Sequence, residues 1–384
     1  MENFEYDALI VGCGLSGSVL ARHFAENLNK KVLIIDRRDH IAGNMYDYKD
    51  ENGILVQKYG PHTFHTNNDE VSEYFKKYSE CTPYELKCMV KMNGKFTPSP
   101  FNLQTIDDYY SEEDAAELKK HIQEIYGDAK KTTIVEMLQS KDKVIKEYAE
   151  FLYKNDYSLY TAKQWGISPE EIDVSVLKRV PVLFSYKKGY FDDKFQVMPK
   201  ESFTAFFKNL LNHANITVKL NTPAESLLKL ENDVIYINGE KADIPVVYTG
   251  AIDELLGFRY GELPYRSLRF EYKTVDCDSY QDAPIVAYPQ EKDFTRITEY
   301  TKLPVQKTNG KTVIAIEYPL QYSVDKNCEP YYPILTEESM NTYIRYRKDA
   351  DKIENLILCG RLADFKYYNM DQALENALKV CTEI

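Results

Sequence analysis

The chain has 384 residues, of which 43% are apolar and 28% charged, the composition of a globular protein with room for two or three domains. The net charge of −12 argues against a nucleic-acid surface, because a polyanion requires a basic face. A few arginines in one cleft can still bind a small anion. No apolar run approaches the ~20 residues that a membrane helix needs.

The cysteines and the first residues predict the compartment. The seven cysteines form no Cys-x-x-Cys pair, which is typical of proteins in a reducing compartment. The N-terminal MENFEYD is acidic and leads directly into a predicted strand, unlike a signal peptide. We therefore expect a cytoplasmic protein that binds neither membranes nor nucleic acid.

The first forty residues predict a βαβ unit. An apolar run at 6–12 is followed by a glycine-rich turn, a helical pattern at 18–27 and a second buried strand at 31–37. This order and spacing are typical of parallel strands joined by a helix, and they indicate a dinucleotide-binding fold.

The glycine loop Gly12-x-Gly14-x-x-Gly17 supplies the backbone chemistry of such a site. Gly12 permits the tight turn, Gly14 lets a pyrophosphate approach the main chain, and Gly17 lets the helix pack closely on the strand. The helix N-terminus offers free N–H groups to the phosphates. Asp36, at the end of the second strand, is expected to accept hydrogen bonds from the adenosine ribose.

Further along, residues from about 106 to 165 show a long polar helical pattern. Residues 84–102 and 261–330 instead alternate apolar and polar positions between turn residues, as antiparallel strands do. Near the C-terminus, the sequence predicts a buried strand at 355–360 and a helix at 371–381.

Two features favour FAD over NAD as the dinucleotide. The glycine loop lies at the extreme N-terminus and continues into the Arg- and Gly-rich stretch 37–44, as is common in flavoproteins with large dinucleotide domains. The C-terminal strand, Gly360-Arg361 and the helix after them match the second flavin contact of that class, where a helix N-terminus stabilises negative charge on the isoalloxazine.

The whole pattern predicts an α/β protein with a Rossmann-type FAD-binding domain, assembled discontinuously, a helical insert domain and an antiparallel β-sheet domain. The predicted boundaries are 1–83, 197–260 and 335–384 for the FAD-binding domain, 103–164 for the helical domain, and 84–102, 165–196 and 261–334 for the sheet domain, with a mobile lid at about 166–180.

Beyond the glycine loop, seven segments fall in the order and near the spacing of one known family. They are DRRDHIAGNMYD (36–47), YGPHTFHTNN (59–68), LYTAKQWG (159–166), LKRVPVLF (177–184), FTRITEY (294–300), PYYP (330–333) and CGRLADFKYYNMD (359–371). On these segments the chain resembles prokaryotic UDP-galactopyranose mutase along essentially its whole length.

The resemblance implies an isomerase that interconverts UDP-galactopyranose and UDP-galactofuranose without net redox change, for cell-surface polysaccharide biosynthesis. N5 of the reduced FAD would act as the nucleophile at the anomeric carbon while UDP leaves. An external reductant such as NAD(P)H would first reduce the flavin, and the protein would be a homodimer.

The resemblance also implies the site residues. Arg179 and Arg296 would hold the departing diphosphate by bidentate contacts, with His65 as a further catalytic residue near flavin and sugar. The other expected substrate-binding residues are Tyr157 and Tyr160, which would sandwich the uracil, with Thr161, Trp165 at the root of the lid, Tyr190, Tyr332, Tyr367 and Asn369. The expected cofactor-binding residues are Gly12, Gly14, Ser16, Gly17, Asp36, Arg37, Gly43, Asn44, Gly60, His62, Val218, Gly360, Arg361 and Met370.

His62-x-x-His65 has a spacing that could be mistaken for a metal pair, but no carboxylate or cysteine cluster accompanies it. In the family that the chain resembles, this segment faces the flavin. We therefore assign His62 to the flavin and His65 to the flavin–sugar region, and we expect no metal.

Four positions depart from the family pattern. Ala42 replaces the first glycine of Gly-Gly-Asn, Leu86 and Ala287 replace asparagines, and Asn369 replaces an acid. The last three lie near expected nucleotide or sugar contacts. They leave open a mutase of the same mechanism for another nucleotide hexose, such as an N-acetylated or 6-deoxy sugar. A flavin amine oxidase or dehydrogenase on the same fold and a non-catalytic flavin- or sugar-nucleotide-binding protein are further alternatives.

Overall fold

The computed structural model describes residues 4–166, 168, 170, 177, 180–307, 309–324 and 328–384. In these ranges the helices are α1 (Leu15–Glu26), α2 (Asp69–Tyr78), α3 (Leu103–Tyr109), α4 (Glu112–Tyr126), α5 (Ile134–Leu138), α6 (Lys143–Leu152), α7 (Ser158–Trp165), α8 (Phe203–Leu211), α9 (Ile252–Leu255), α10 (Glu337–Ala350) and α11 (Met370–Cys381). The strands are β1 (Ala8–Val11), β2 (Val32–Ile35), β3 (Asp47–Lys49), β4 (Leu55–Gln57), β5 (Phe64–Thr66), β6 (Cys81–Pro83), β7 (Cys88–Met92), β8 (Lys95–Ser99), β9 (Lys131–Thr133), β10 (Pro181–Leu183), β11 (Phe195–Pro199), β12 (Ile216–Lys219), β13 (Leu228–Glu231), β14 (Val234–Ile237), β15 (Glu240–Lys241), β16 (Val246–Tyr248), β17 (Tyr265–Val275), β18 (Ile285–Ala287), β19 (Arg296–Glu299), β20 (Thr312–Gln321), β21 (Tyr332–Pro333) and β22 (Leu356–Leu358).

A parallel sheet in the order β12–β2–β1–β16–β22 carries the dinucleotide-binding end of the fold. Strands such as Ala8–Val11 are buried along their whole length, because both faces of the sheet are covered. Helices α1, α8 and α11 cover one face around Phe24 and Leu374. The β13–β14 hairpin and α10 cover the other around Ile235 and Tyr346. The predicted Rossmann-type α/β fold is confirmed.

This sheet joins the two ends of the chain. β1 and β2 come from the N-terminal βαβ unit, and β16 pairs on its other side with β22, with Tyr248 opposite Leu358. Since the carboxyl ends of parallel strands meet at one edge, the turn after β1 and Gly360, which follows β22, lie at the same edge of the sheet.

A second sheet has the order β21–β17–β20–β19–β18–β7–β8. It is antiparallel, as predicted, except for β7 and β18, which pair in parallel with Cys88 opposite Ile285. The whole helical segment separates these two strands along the chain. That connection is long enough for the crossover that a parallel pair needs.

The helical segment packs α3 to α7 around Ile134, Tyr148 and Leu152. Helix α6 continues through a π-helical turn at Tyr153–Tyr157 into α7. The short β9–β10 pair joins this segment to Pro181–Leu183. The domain boundaries stay a prediction. In the described part of the chain, no helix is both long and apolar enough to cross a membrane.

Candidate active site

Two adjoining cavities form the candidate site. We call the smaller one, of about 300 Å³, the glycine-loop cavity, and the larger one, of about 530 Å³, the tyrosine cavity. His62, Arg361 and Met370 line both. An elongated ligand in the glycine-loop cavity can therefore present one end to a second ligand in the tyrosine cavity.

Backbone atoms form the wall of the glycine-loop cavity where β1 ends. Gly12 has φ +104°, in the left-handed region that favours glycine. A Cβ on Gly17 would lie 1.9 Å from the Gly12 carbonyl oxygen, and a Cβ on Gly43 would lie 2.8 Å from the Gly14 Cα. Side chains at these positions would fill the cradle or push its two backbone segments apart.

The polar groups around this cradle fit a dinucleotide. Helix α1 begins directly after Gly14, and no described side chain caps its first N–H groups, which leaves them to an anion. Asp36 Oδ2 accepts a hydrogen bond from the Cys13 N–H at 2.7 Å and Oδ1 accepts one from the Arg38 N–H at 2.9 Å, so the carboxylate is held at the cavity edge.

Most of the predicted cofactor-binding residues lie at this cavity: Gly12, Gly14, Ser16, Asp36, Arg37, Gly43, Asn44, His62, Gly360, Arg361 and Met370. Three others are not among its lining residues. Gly17 packs on Gly12, a Cβ on Gly60 would lie 3.0 Å from the Phe270 ring, and Val218 lies in the edge strand β12. Their predicted contacts with the cofactor stay predictions.

The junction of the two cavities holds a neutral imidazole and a fixed cation. His62 Nδ1 lies 2.8 Å from the Gly60 carbonyl oxygen. Burial, and then the charge of Arg361, lowers the pKa of His62 to about 4. The ring is therefore uncharged at neutral pH, with the proton on Nδ1 and a lone pair on Nε2. Arg361 donates to the carbonyl oxygens of Tyr331 and Tyr368 at 3.2 and 2.6 Å.

Arg296 supplies a second fixed cation, on the wall of the tyrosine cavity. The β19–β20 register sets it opposite Glu317, and its Nε and Nη2 each donate to Glu317 Oε2 at 2.7 Å. The Thr295 hydroxyl donates to the other carboxylate oxygen at 3.1 Å. Burial opposes the charge of Arg296, but Glu317 raises its pKa above the usual value. Its guanidinium is thus charged and oriented before any ligand binds.

Aromatic side chains line much of the tyrosine cavity. Tyr157, Tyr160 and Thr161 are spaced on one face of the helix that includes α7. Tyr157 is also part of the helical core, because its ring packs against Phe101 and its hydroxyl donates to the Val180 carbonyl oxygen at 3.1 Å. The remaining predicted substrate-binding residues on the wall are Tyr190, Tyr332, Tyr367 and Asn369, and the rings of Tyr332 and Tyr367 stack 5.1 Å apart.

His65 lines the same cavity, on β5. Its Nδ1 lies 2.9 Å from Asp193 Oδ2, and its ring stacks on Phe191 with centroids 3.6 Å apart. These two contacts hold the imidazole at one orientation. The described residues contain no cluster of three or more His, Cys, Asp or Glu side chains able to hold a metal ion.

Two predicted site residues cannot be placed in this geometry. Arg179 and the side chain of Trp165 lie outside the described residues, as does most of the predicted lid at 166–180. Their roles stay predictions.

Sequence reasoning missed three charged residues of the tyrosine cavity: Asp156, Arg266 and Glu317. Glu317 carries a signal in retrospect, as the lone acid in the apolar strand TVIAIEYP. Asp156 precedes Tyr160 and lies in a π-helical turn, where the helical period changes, so the spacing of the sequence did not point to it. The departures Leu86, Ala287 and Asn369 also line this cavity.

Comparison with known proteins agrees with this arrangement. The UDP-galactopyranose mutase family model matches residues 155–367, and a model described as NAD(P)-binding Rossmann-like domain matches residues 10–78. A dTDP-fucopyranose mutase of Escherichia coli is 36% identical over 98% of this chain and 97% of its own. A UDP-galactopyranose mutase of Mycoplasma genitalium is 34% identical over 99% of this chain and 95% of its own.

The fold comparison agrees as well. The crystal structure of a reduced UDP-galactopyranose mutase superposes with a TM-score of 0.70 at 15% identity, covering 98% of this chain and 95% of that one. The predicted family and the predicted isomerase class are confirmed. The chain belongs to the UDP-galactopyranose mutase family.

Proposed function

We propose that this protein is a flavin-dependent nucleotide-sugar mutase that interconverts the pyranose and furanose forms of a hexose on a nucleoside diphosphate, with UDP-galactose as the first candidate substrate. The observation that carries the proposal is the Arg296–Glu317 pair. It holds a charged guanidinium in a cavity that adjoins a dinucleotide cradle, where a departing diphosphate needs neutralising.

FAD is the proposed dinucleotide, held by Gly12, Gly14, Asp36 and the N-terminus of α1 in the glycine-loop cavity. When bound and reduced, it supplies a nucleophilic nitrogen for the anomeric carbon of the sugar. The fixed charge of Arg361 at the junction would stabilise the electron-rich reduced ring. His62, neutral with its proton on Nδ1, would offer Nε2 as a hydrogen-bond acceptor there.

The residues of the tyrosine cavity would bind the sugar nucleotide. Arg296 would carry the diphosphate, and the interaction would strengthen as negative charge develops on the leaving oxygen. Tyr332 and Tyr367 are proposed to direct their hydroxyls at the phosphates, and Tyr160 to stack on the base. His65, held by Asp193, is proposed to lie beside the reacting sugar. Arg179 is proposed as the second diphosphate ligand.

A second candidate substrate is a 6-deoxy hexose on dTDP. The Escherichia coli relative, 36% identical to this chain, is named a dTDP-fucopyranose mutase. Leu86 and Ala287, which replace polar residues of the family pattern, also line the tyrosine cavity. An apolar wall suits a methyl group better than a hydroxyl group, and such a change is worth about 1–3 kcal/mol.

The test is a panel of ring-contraction assays with anaerobically reduced protein and UDP-galactopyranose, UDP-N-acetylgalactosamine and dTDP-fucopyranose. We expect one of them to be converted only by the reduced protein, with no reductant consumed per turnover. Oxidation of an amine coupled to oxygen uptake would contradict the proposal and favour an oxidase. The external reductant, a homodimer and a cytoplasmic location stay predictions.

A further inference from the structure

The tyrosine cavity contains a carboxylate that no described residue neutralises directly. Asp156 lines the wall, and among the described residues none donates a hydrogen bond to its side chain. The nearest opposite charge is Lys163, whose ammonium is occupied by the carbonyl oxygens of Tyr288, Glu291 and Phe294 at 2.5 to 2.7 Å. Asp156 is partly buried, and its carboxylate is free to accept a hydrogen bond from a ligand in the cavity.

Asp156 lies on the wall of the tyrosine cavity together with Arg296 and Tyr160. At the junction, the charge of Arg361 acts on His62. Burial raises the pKa of Tyr160 most, while Arg296 lowers it and Asp156 raises it, so Tyr160 lies near both. We expect a nucleotide whose diphosphate lies on Arg296 to bring its base to Tyr160 and Asp156, which lie one turn apart on the same helix and line the same cavity.

The same helix also places Tyr160, Thr161 and Gln164 on the wall of the cavity. Tyr160 is one turn further along the same helix than Asp156, and Ala287, which also lines the cavity, has no polar side chain. Burial raises the pKa of Asp156 to about 7, and a donor from the ligand would lower it again. Near pH 8 the carboxylate is ionised and can only accept hydrogen bonds.

We propose that Asp156 determines the base specificity of the site, its carboxylate accepting the N3–H of a uracil or thymine ring that stacks on Tyr160. The inference rests on the proposed function, since it requires a nucleoside diphosphate on Arg296. Uracil and thymine carry a hydrogen on N3, whereas cytosine presents a lone pair there, which a carboxylate repels. The site therefore accepts UDP and dTDP sugars and rejects CDP sugars.

The test is calorimetric titration near pH 8 of the holoprotein with UDP, dTDP, CDP and N3-methyl-UDP. We expect the wild type to bind UDP and dTDP about 10- to 100-fold more tightly than CDP or N3-methyl-UDP, because each of the latter loses a hydrogen bond to a charged acceptor.

Two substitutions distinguish a loss of base specificity from a general loss of nucleotide binding. Asp156→Ala leaves room for the methyl group, so the preference for UDP over N3-methyl-UDP should fall to about threefold or less. The carboxamide of Asp156→Asn both donates and accepts, so it should bind CDP nearly as well as UDP. Asp128→Asn, at an exposed position outside the cavity, is the matched control and should keep the wild-type ratios.

The outcomes distinguish the two proposals. If the wild type binds neither UDP nor dTDP, the proposed function fails and this inference fails with it. If UDP binds but the wild type does not discriminate, or both variants keep the wild-type ratios, Asp156 does not read the base and only this inference is overturned.

Discussion

Arg296 and Glu317 face each other across the β19–β20 pair, and two N–H groups of the arginine donate to one carboxylate oxygen at 2.7 Å each. Glu317 is 2% exposed, so the pair is shielded from solvent on the carboxylate side. Its geometry is set by strand register and does not depend on a flexible loop. The cation of the tyrosine cavity is consequently preorganised.

Replacing the carboxylate should therefore lower turnover. In Glu317→Gln the arginine keeps a neutral acceptor but loses its counter-charge, and we expect kcat/KM for ring contraction to fall about 10- to 100-fold. The matched control is Asp351→Asn, which removes an exposed carboxylate from an Arg347 Nε contact of 2.8 Å and should leave kcat/KM unchanged. Equal losses in both variants, or none in either, would contradict the role of the pair.

Lys163 is predicted to stabilise the fold by holding the loop that leads into β19. Its ammonium donates to the carbonyl oxygens of Tyr288, Pro289, Glu291 and Phe294 at 2.5 to 3.3 Å. Lys163→Met leaves these carbonyls without their donor, and we expect the free energy of unfolding to fall by about 2–3 kcal/mol.

Urea unfolding checks this expectation. The control is Lys154→Met, at an exposed position two turns earlier, which should change the free energy of unfolding by less than about 0.5 kcal/mol. If the two variants are equally stable, the four contacts of Lys163 contribute nothing.

Asp156 should make stability depend on pH in the opposite direction to an ordinary ion-paired acid. Burial raises its folded-state pKa from 3.8 to about 7, with Lys163 only partly opposing the shift. Between these values the native state binds more protons than the unfolded state, so stability falls as pH rises from about 4 to about 7. Asp156→Asn removes this loss. We expect the free energy of unfolding of the variant, relative to that of the wild type, to rise by about 2 kcal/mol from pH 5 to pH 8. This is less than the roughly 4 kcal/mol of a full pKa shift, because the cavity admits water.

Asp349→Asn is the control for that measurement. Hydrogen bonds from Lys352 and Tyr260 lower the pKa of Asp349 to about 2. Its stabilisation is present above the unfolded value and is lost only below about pH 4. The variant should therefore be destabilised equally at both pH values. A pH-independent difference for Asp156→Asn as well would show that its carboxyl group is not shifted.

Gly43 is predicted to be essential to the cofactor cradle. A Cβ there would lie 2.8 Å from the Gly14 Cα, and φ is +54°. Gly43→Ala should push the glycine loop aside and weaken flavin binding about tenfold or more, measured by flavin absorbance after dialysis. Gly53→Ala is the matched control, because Gly53 also has positive φ (+78°) but nothing within 4 Å of the added carbon. It should cost about 1 kcal/mol of stability and leave flavin binding intact.

Individual strands, turns and helices could be predicted from the sequence, because each is encoded by residues that are close together in the chain. The apolar runs of β1 and β2, the glycines between them and the helical spacing of α4 and α6 each depend on a few neighbouring residues. The parallel pairing of Cys88 with Ile285 could not be predicted in this way, since a strand pattern does not identify its partner.

In the site, too, local motifs could be recognised in the sequence, whereas residues placed by strand pairing could not. Arg296 and the tyrosines were found through family motifs, whereas Glu317 depends on the register between β19 and β20. Asp156 lies in a π-helical turn, where the helical period changes, so periodicity alone does not assign its face. Val218 was expected at the cofactor but is not among the residues of the glycine-loop cavity.

The pairing of β22 with β16 determines when the cradle is completed during synthesis of the chain. Gly360, Arg361 and Met370, which follow β22, complete the cradle begun by Gly12 at the end of β1. Since synthesis delivers the N-terminal βαβ unit first, the nascent chain carries an open half-cradle for most of its translation. The cradle is therefore complete only after β22 and the segment that follows it have been synthesised.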